Sequence, residues 1–442
     1  MHNMRFEKID RLLQPLNHFI AHESSAGLLL FVCALVALVW ANSPFSATYF
    51  HLWEYEFAVR LGGYTVANSV HHWINDGLMA MFFFVVGLEL KREFMAGELS
   101  SPRKALLPLA AAVGGMLVPM LIFVALNPDK PYVTGWGIPM ATDIAFVLGI
   151  LSLLGQRVPV SLKVFLTALA IVDDLGAVVV IALFYTSDIS VVNLAAGGAF
   201  LAILLLANAL GIRHSAFYGI VGIGGLWLAF LLSGVHATIA GVLAAFTIPA
   251  RPKIDERGFT QRLQHYLHEF ERIEPNDVTL LEPEQMHVLA QIKRLIYAAD
   301  TPLQRLEHAL YPLVSFVVMP IFALANAGIS FSTLSAETLL HPVSVGIFLG
   351  LLLGKCSGVL GACWLVTRLG WASFPGDMQW KHLYGLSVLA GMGFTMSLFI
   401  TTLAYTSADL ITHAKMGILA ASLLAGVVGY VLLKKALTPA QP

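Results

Sequence analysis

The chain has 442 residues, of which 57% are hydrophobic and only 12% charged, with a mean hydropathy of +0.76. Soluble globular chains carry about 25% charged residues, so a surface of ordinary water-facing composition is excluded. The formal net charge of −1 gives no footing for nucleic acid, and no nucleic-acid partner is expected. Cys33, Cys356 and Cys363 all fall in apolar runs without metal-ligand spacing, so they read as small core residues; neither a disulfide nor a cofactor is expected.

Residues 1–22 are polar and mildly amphipathic, with Phe6, Ile9, Leu12, Leu13 and Leu16 on one stripe. No small-residue cleavage site follows the first apolar run, so they read as a surface-lying helix and not as a cleavable signal. Beyond them, apolar runs of about 18 residues or more recur, each long enough to cross the hydrocarbon of a bilayer. Spans are expected near 24–42, 70–91, 105–125, 134–155, 159–185, 191–210, 215–233, 235–249, 306–328, 342–366, 383–404 and 413–433. The division between the seventh and eighth rests on Ser233-Gly234 alone. The fold class is therefore an all-α polytopic membrane protein of about twelve transmembrane helices.

Two extramembrane pieces interrupt this pattern. Between the first two spans, Glu54 to Val66 alternates apolar and polar residues up to Gly62-Gly63, which reads as an external β-hairpin. An isolated hairpin is marginal in water, so it is expected to pair with a second subunit. Residues 250–304 form a cytoplasmic insertion that divides the membrane domain into a first part, 1–249, and a second part, 305–442. Phe259, Leu263, Tyr266, Leu267, Phe270 and Ile273 share one helical face, as do Val288, Leu289, Ile292, Leu295 and Ile296. Two amphipathic helices lying on the membrane surface are expected there.

The distribution of basic residues orients the spans. With the N-terminus inside, the cytoplasmic segments hold Arg5, Lys8 and Arg11, then Lys91, Arg92, Arg103 and Lys104, then Arg157, Lys163 and Arg213. Eight more lie from Arg251 to Arg305, and Arg368, Lys381, Lys434 and Lys435 complete that side. The other side has Arg60, Lys130 and Lys415. Both termini are thus expected in the cytoplasm.

An ionisable residue inside a span is costly and marks a functional site by default. Asp173 and Asp174 sit in the middle of the fifth span. Helix neighbours diverge by about 100°, so the two carboxylates cannot both face lipid but can flank one polar cavity. Adjacent carboxylates in a poorly solvated site repel each other and hold protons unless a cation replaces them. Hard cations prefer oxygen ligands, and Thr142 adds a hydroxyl. Competition between proton and cation for the same oxygens is the chemistry of an antiporter. Asp143 follows Pro139 and Thr142 in the fourth span, and Gly391-Met392-Gly393-Phe394-Thr395 lies in the eleventh, so both spans are candidates for interruption. Broken helices bring positive N-termini and negative C-termini to the midplane; Asp143 would offset the former and Lys355 the latter. Lys355 has a second reading as the partner of Asp173 or Asp174. An intramembrane aspartyl enzyme would draw its two acids from different helices, whereas these are adjacent and accompanied by a lysine, so no enzymatic activity is expected.

At these residues the sequence resembles the NhaA family of bacterial Na+/H+ antiporters. The resemblance rests on Phe19-Ile20-Ala21-His22-Glu23, on Val85 to Glu93, and on Ala141 to Phe146. It continues through Ala170 to Gly176, Ser233 to Thr238, Arg305 to His308, Phe322 to Gly328, Gly354-Lys355 and Gly391 to Ser397. It implies twelve helices, with spans 3–5 and 10–12 as inverted repeats crossing through interrupted helices 4 and 11. It also implies a Na+ or Li+ site at Asp173 and Asp174 with Thr142 nearby, electrogenic exchange for H+, and Lys355 paired with Asp173 when sodium is absent. The family's pH-regulating cluster maps onto Glu89, Arg92, Glu93, Glu307 and His308, with His236 as a further candidate. A homodimer joined by the external hairpin, in the bacterial inner membrane, is the implied assembly. The long insertion after span 8 departs from the compact loop of the best-known members.

Overall fold

A bilayer offers the backbone no hydrogen-bonding partners, so apolar runs of this length close their own hydrogen bonds as helices. The computed structural model describes residues 23–61, 64–186, 189–273, 280–331 and 336–437. The expected helix over residues 1–22 and the Gly62-Gly63 turn lie outside them.

Eight helices among the described residues are long and apolar enough to cross a membrane: Val70–Ala96, Pro102–Leu126, Tyr132–Leu153, Val160–Phe184, Val191–Ala209, Pro302–Asn326, Pro342–Arg368 and Ala408–Ala436. The first span, Glu23–Ala41, turns by 112° into a short helix, Ser46–Glu54. The eleventh is the bent pair Trp380–Leu389 and Phe394–Ala404. Two shorter apolar helices, Ser215–Leu231 and Ala237–Thr247, stand where the seventh and eighth were expected, and the Ser-Gly pair does separate them. The twelve segments of the sequence reading are therefore present.

The outer faces are apolar: Val192 is 80% exposed and Ile220 73%. The polar groups instead point inward, where Thr142, Asp143, Asp173, Asp174, Lys355, Thr395 and Ser397 are all buried. This arrangement fits lipid outside and a polar centre within.

The fourth and eleventh spans are interrupted. Tyr132–Met140 is a tight 3-10 helix, Ala141–Asp143 is non-helical, and Ile144–Leu153 resumes as an α-helix. The eleventh breaks at Ala390–Gly393. Each broken helix is the middle member of a trio, spans 3–5 and spans 10–12. Seven crossings separate corresponding members, so the trios enter the membrane from opposite sides and form inverted repeats.

Spans 3 and 10 meet through glycine. A Cβ added at Gly358 would lie 2.1 Å from the Gly114 carbonyl oxygen, and one at Gly114 would lie 2.3 Å from that of Gly358. Backbone meets backbone there, and no side chain can yield. Gly358→Val is expected to force the two spans apart and lower stability by about 3 kcal/mol or more. A thermal-unfolding scan in detergent measures this; an unchanged midpoint would show that the spans can separate freely.

The strands β1 (Glu56–Leu61) and β2 (Tyr64–Ser69) pair antiparallel, with Glu56 opposite Ser69 and Leu61 opposite Tyr64. The insertion carries the two expected amphipathic helices, Glu256–Glu271 and Pro283–Ala299. They pack on one another, and Val288 and Leu295 of the second are buried. Lys253 N–H donates to the Ala298 carbonyl at 2.8 Å and Leu303 N–H to that of Pro249 at 3.2 Å, so the insertion leaves and re-enters the bundle at one place.

Candidate functional site at the helix crossing

The two interrupted helices cross at their breaks. Asp143 N–H donates to the Met392 carbonyl at 2.7 Å, and Ser397 Oγ donates to the Ile138 carbonyl at 2.8 Å. Gly391 lets the break of the eleventh span lie against span 10, since a Cβ there would lie 2.4 Å from the Leu351 carbonyl oxygen.

Four helix ends converge on this crossing, and the charges are sorted by their sign. Asp143 caps both N-termini. Its Oδ1 accepts from Phe146 N–H at 3.1 Å, in the first turn of Ile144–Leu153. Its Oδ2 accepts from Thr395 N–H at 3.0 Å and from Thr395 Oγ1 at 2.5 Å, in the first turn of Phe394–Ala404. A carboxylate is the group that facing helix N-termini stabilise. The C-terminal ends present carbonyl oxygens. Met140, closing Tyr132–Met140, accepts from Lys355 Nζ. Ala390, after Trp380–Leu389, accepts from Thr142 Oγ1 at 2.8 Å. Asp143 thus contacts both N-terminal ends, whereas Lys355 contacts one C-terminal end and Thr142 the other.

Lys355 Nζ also donates to Asp173 Oδ2, forming a fully buried ion pair. The π-helical turn Gly350–Gly354 immediately precedes the lysine in span 10. Such single-turn bulges frequently occur at functional sites. Thr142 Oγ1 lies 2.6 Å from Asp173 Oδ2, so it faces both that carboxylate and the Ala390 carbonyl. Its one proton can satisfy only one of them at a time. When Ala390 takes it, the hydroxyl lone pairs are left facing Asp173.

The second carboxylate is different. Asp174 is 2% exposed, and its Oδ1 has no hydrogen-bond partner among the described residues. Asp173 Oδ1 is orphaned in the same way. Buried carboxylate oxygens are normally satisfied, so an orphaned pair on adjacent residues calls for a proton or a cation. Asp143 and Glu89 are close enough to act electrostatically on Asp174, and Lys355 is the cation among the charges that do so.

The remaining candidates fall into two places. Arg92 pairs with Glu307 at 2.7 Å and with Glu93 at 3.3 Å, and His308 is near enough to act on Glu307. Glu93 also accepts from Glu98 N–H at 3.0 Å. His236 is elsewhere: it joins spans 7 and 8 beside Asp76 and His72, which pair at 2.9 Å.

Sequence reasoning gave no role to Thr395, although it follows the Gly-rich break and a threonine at a helix start is a capping signal. It also missed a buried amide network near the start of span 2. His71 Nε2 contacts Asn326 Oδ1 at 3.0 Å, and Asn326 Nδ2 donates to Asn75 Oδ1 at 3.0 Å. Uncharged amides raise no alarm in an apolar run, so the charge search passed over them.

The family model described as Na+/H+ antiporter 1 matches residues 17–433. The chain is 52% identical to the Na+/H+ antiporter NhaA of Oleidesulfovibrio alaskensis, over 99% of this chain and 97% of that one. It is 48% identical to NhaA 1 of Saccharophagus degradans, over 97% and 93% of the two chains. With NhaA 2 of Syntrophotalea carbinolica it shares 47% identity, over 97% and 98%. With broken helices crossing over a buried aspartate pair and relatives matched end to end, this chain belongs to the NhaA family of Na+/H+ antiporters.

Proposed function

We propose that this chain is not an enzyme but an electrogenic Na+/H+ antiporter that also accepts Li+, with cation and protons competing at Asp173 and Asp174. The orphaned oxygens of the two buried carboxylates carry this reading. In the sodium-free state one proton resides on Asp174 and another on the Lys355 ammonium, which pairs with Asp173. A cation entering between the carboxylates takes oxygens from both residues, with Thr142 Oγ1 as a further neutral ligand. Asp174 then releases its proton. Lys355 loses its counter-ion, and its ammonium in turn gives up a proton in the poorly solvated interior. Two protons leave for one cation bound, so each cycle moves net charge across the membrane. The crossed half-helices rock within the bundle and expose the site to one side and then the other. Asp143 holds the two N-termini together throughout.

Regulation by pH is assigned to Glu89, Arg92, Glu93, Glu307 and His308, among which the Arg92–Glu307 ion pair links span 2 to span 9. His236 is a separate candidate at the Asp76 end. The basic-residue distribution supports a bacterial inner-membrane protein with both termini cytoplasmic. The exposed hairpin edge supports homodimerisation through paired strands.

Competition is tested in proteoliposomes by measuring exchange against sodium concentration at several pH values. In the proton-limited range the apparent sodium affinity is expected to fall about tenfold or more for each unit drop in pH, since at least one proton is displaced per cation. An apparent affinity independent of pH would exclude a shared site. Sodium leak without proton movement would indicate a channel.

A further inference from the structure

Spans 10, 11 and 12 border an open groove of about 800 Å³ at one membrane face, lined by none of the charged groups of the helix crossing. Leu360, Gly361 and Leu432 give it apolar lining, and Trp364, Trp380, Tyr384, Lys381 and Lys435 line it with amphipathic side chains. Arg368 ends span 10, Lys381 opens span 11, and Lys434 and Lys435 lie in the last turn of span 12. All four cations therefore meet at the same face. Asp377 is the sole carboxylate of the connecting loop 369–379.

The aromatic lining is held in place. The Arg368 guanidinium lies 4.9 Å over the Trp364 ring, and Phe374 packs edge-on against Trp380 at 4.9 Å. Gly361 leaves the groove open: it is exposed, and a Cβ built there meets no atom within 4 Å. Tryptophan and tyrosine favour the headgroup level of a bilayer, and lysines there reach for phosphate while their stems cover apolar surface.

We propose that this groove is a binding site for an anionic phospholipid. Its phosphate pairs with Lys381 and Lys435, and an acyl chain lies along Leu360, Gly361 and Leu432 in the groove. Charge complementarity selects the occupant: a zwitterionic headgroup would bring a quaternary ammonium to a groove with an excess of cations. A basic pocket between transmembrane helices, continuous with an apolar channel, has the chemistry of an anionic-headgroup site.

The test is native mass spectrometry of the full-length protein in mild detergent. Phosphatidylglycerol and phosphatidylcholine of identical acyl chains are offered together, with inorganic phosphate as a further competitor. Wild type is expected to retain phosphatidylglycerol about thirtyfold over phosphatidylcholine, from two lysines each contributing about fivefold. The double substitution Lys381→Gln and Lys435→Gln brings the ratio near unity, and the arginine pair restores it. Gly361→Phe fills the groove and lowers retention of phosphatidylglycerol, while exchange activity in liposomes is unchanged. An unaltered ratio in the glutamine variant would overturn the proposal. So would displacement of the lipid by millimolar phosphate, which would make the site a free-anion site. A changed oligomeric mass in Gly361→Phe with lipid retention intact would also overturn it, by making the groove a contact between copies of the chain.

Discussion

Asp174→Asn is expected to reduce sodium-driven proton movement more than about a hundredfold, to the background of empty liposomes. Asparagine keeps the volume of the side chain but carries no exchangeable proton, and its one carbonyl oxygen is a weak ligand for a hard cation. The substitution places a neutral amide where a buried carboxyl had an orphaned oxygen, so the fold should tolerate it. The measurement is quenching of a pH-sensitive dye inside liposomes after an imposed sodium gradient. Thermal unfolding and elution volume, unchanged from wild type, distinguish lost chemistry from lost structure. Exchange at the normal rate by a well-folded Asp174→Asn protein would remove Asp174 from the site.

Lys355→Ala is expected to act on stability as well as transport. Lys355 is completely buried and bonds Asp173 Oδ2 and the Met140 carbonyl together. Removing it leaves a buried carboxylate without its counter-charge and a helix C-terminal end without its donor. Breaking a buried pair by deleting one partner costs about 3–5 kcal/mol, far more than the pair contributes over an apolar replacement. Thermal unfolding in detergent should show a clear drop for Lys355→Ala and partial recovery in Lys355→Ala combined with Asp173→Ala. If the single variant unfolds at the wild-type temperature, the pair has no structural role, and the lysine acts only in proton coupling.

The two substitutions differ because the two aspartates differ. Asp173 shares its Oδ2 with a lysine and a threonine hydroxyl, whereas Asp174 has no such partner for its Oδ1. Adjacency in sequence marks both residues as a site but does not rank them. Helix geometry turns neighbouring side chains about 100° apart, and only the packing of spans 4 and 10 determines which one meets the lysine.

Much of the architecture was legible beforehand. A span of about 18 or more apolar residues has only one way to satisfy its backbone in lipid, so the helices follow directly from local composition. The hairpin was likewise local, since alternation up to Gly62-Gly63 has a period of two. Even the division between spans 7 and 8 was readable, because a serine-glycine pair ends one helix and precedes another. Less of the interior could be read. Pro139 and Thr142 suggested a break in span 4, but proline and threonine occur in unbroken spans too. The interruption at Ala141–Asp143 is held by hydrogen bonds to residues 392 and 395, about 250 positions away. Thr395 has a role only because that segment lies against Asp143. His236 and Glu307 looked like members of one regulatory set, yet they have separate charged neighbours, Asp76 and His72 for one, Arg92 and Glu93 for the other.

The sequence by itself determined that this is a membrane protein of twelve spans with acids buried in the fifth, and its motifs named the family. These are properties of single segments, decided by hydropathy, periodicity and the cost of a charge in hydrocarbon. Which polar groups meet is decided by tertiary packing, although the family resemblance had already implied Lys355 beside Asp173 and the broken helices had suggested Asp143 at their N-termini. Only the structure gives Thr395 its place against Asp143 and leaves Asp174 Oδ1 without a hydrogen-bond partner among the described residues. The physical reason is range: a helix forms from bonds four residues apart, whereas the site is assembled from spans 4, 5, 10 and 11, whose order in the chain says nothing about which faces will touch.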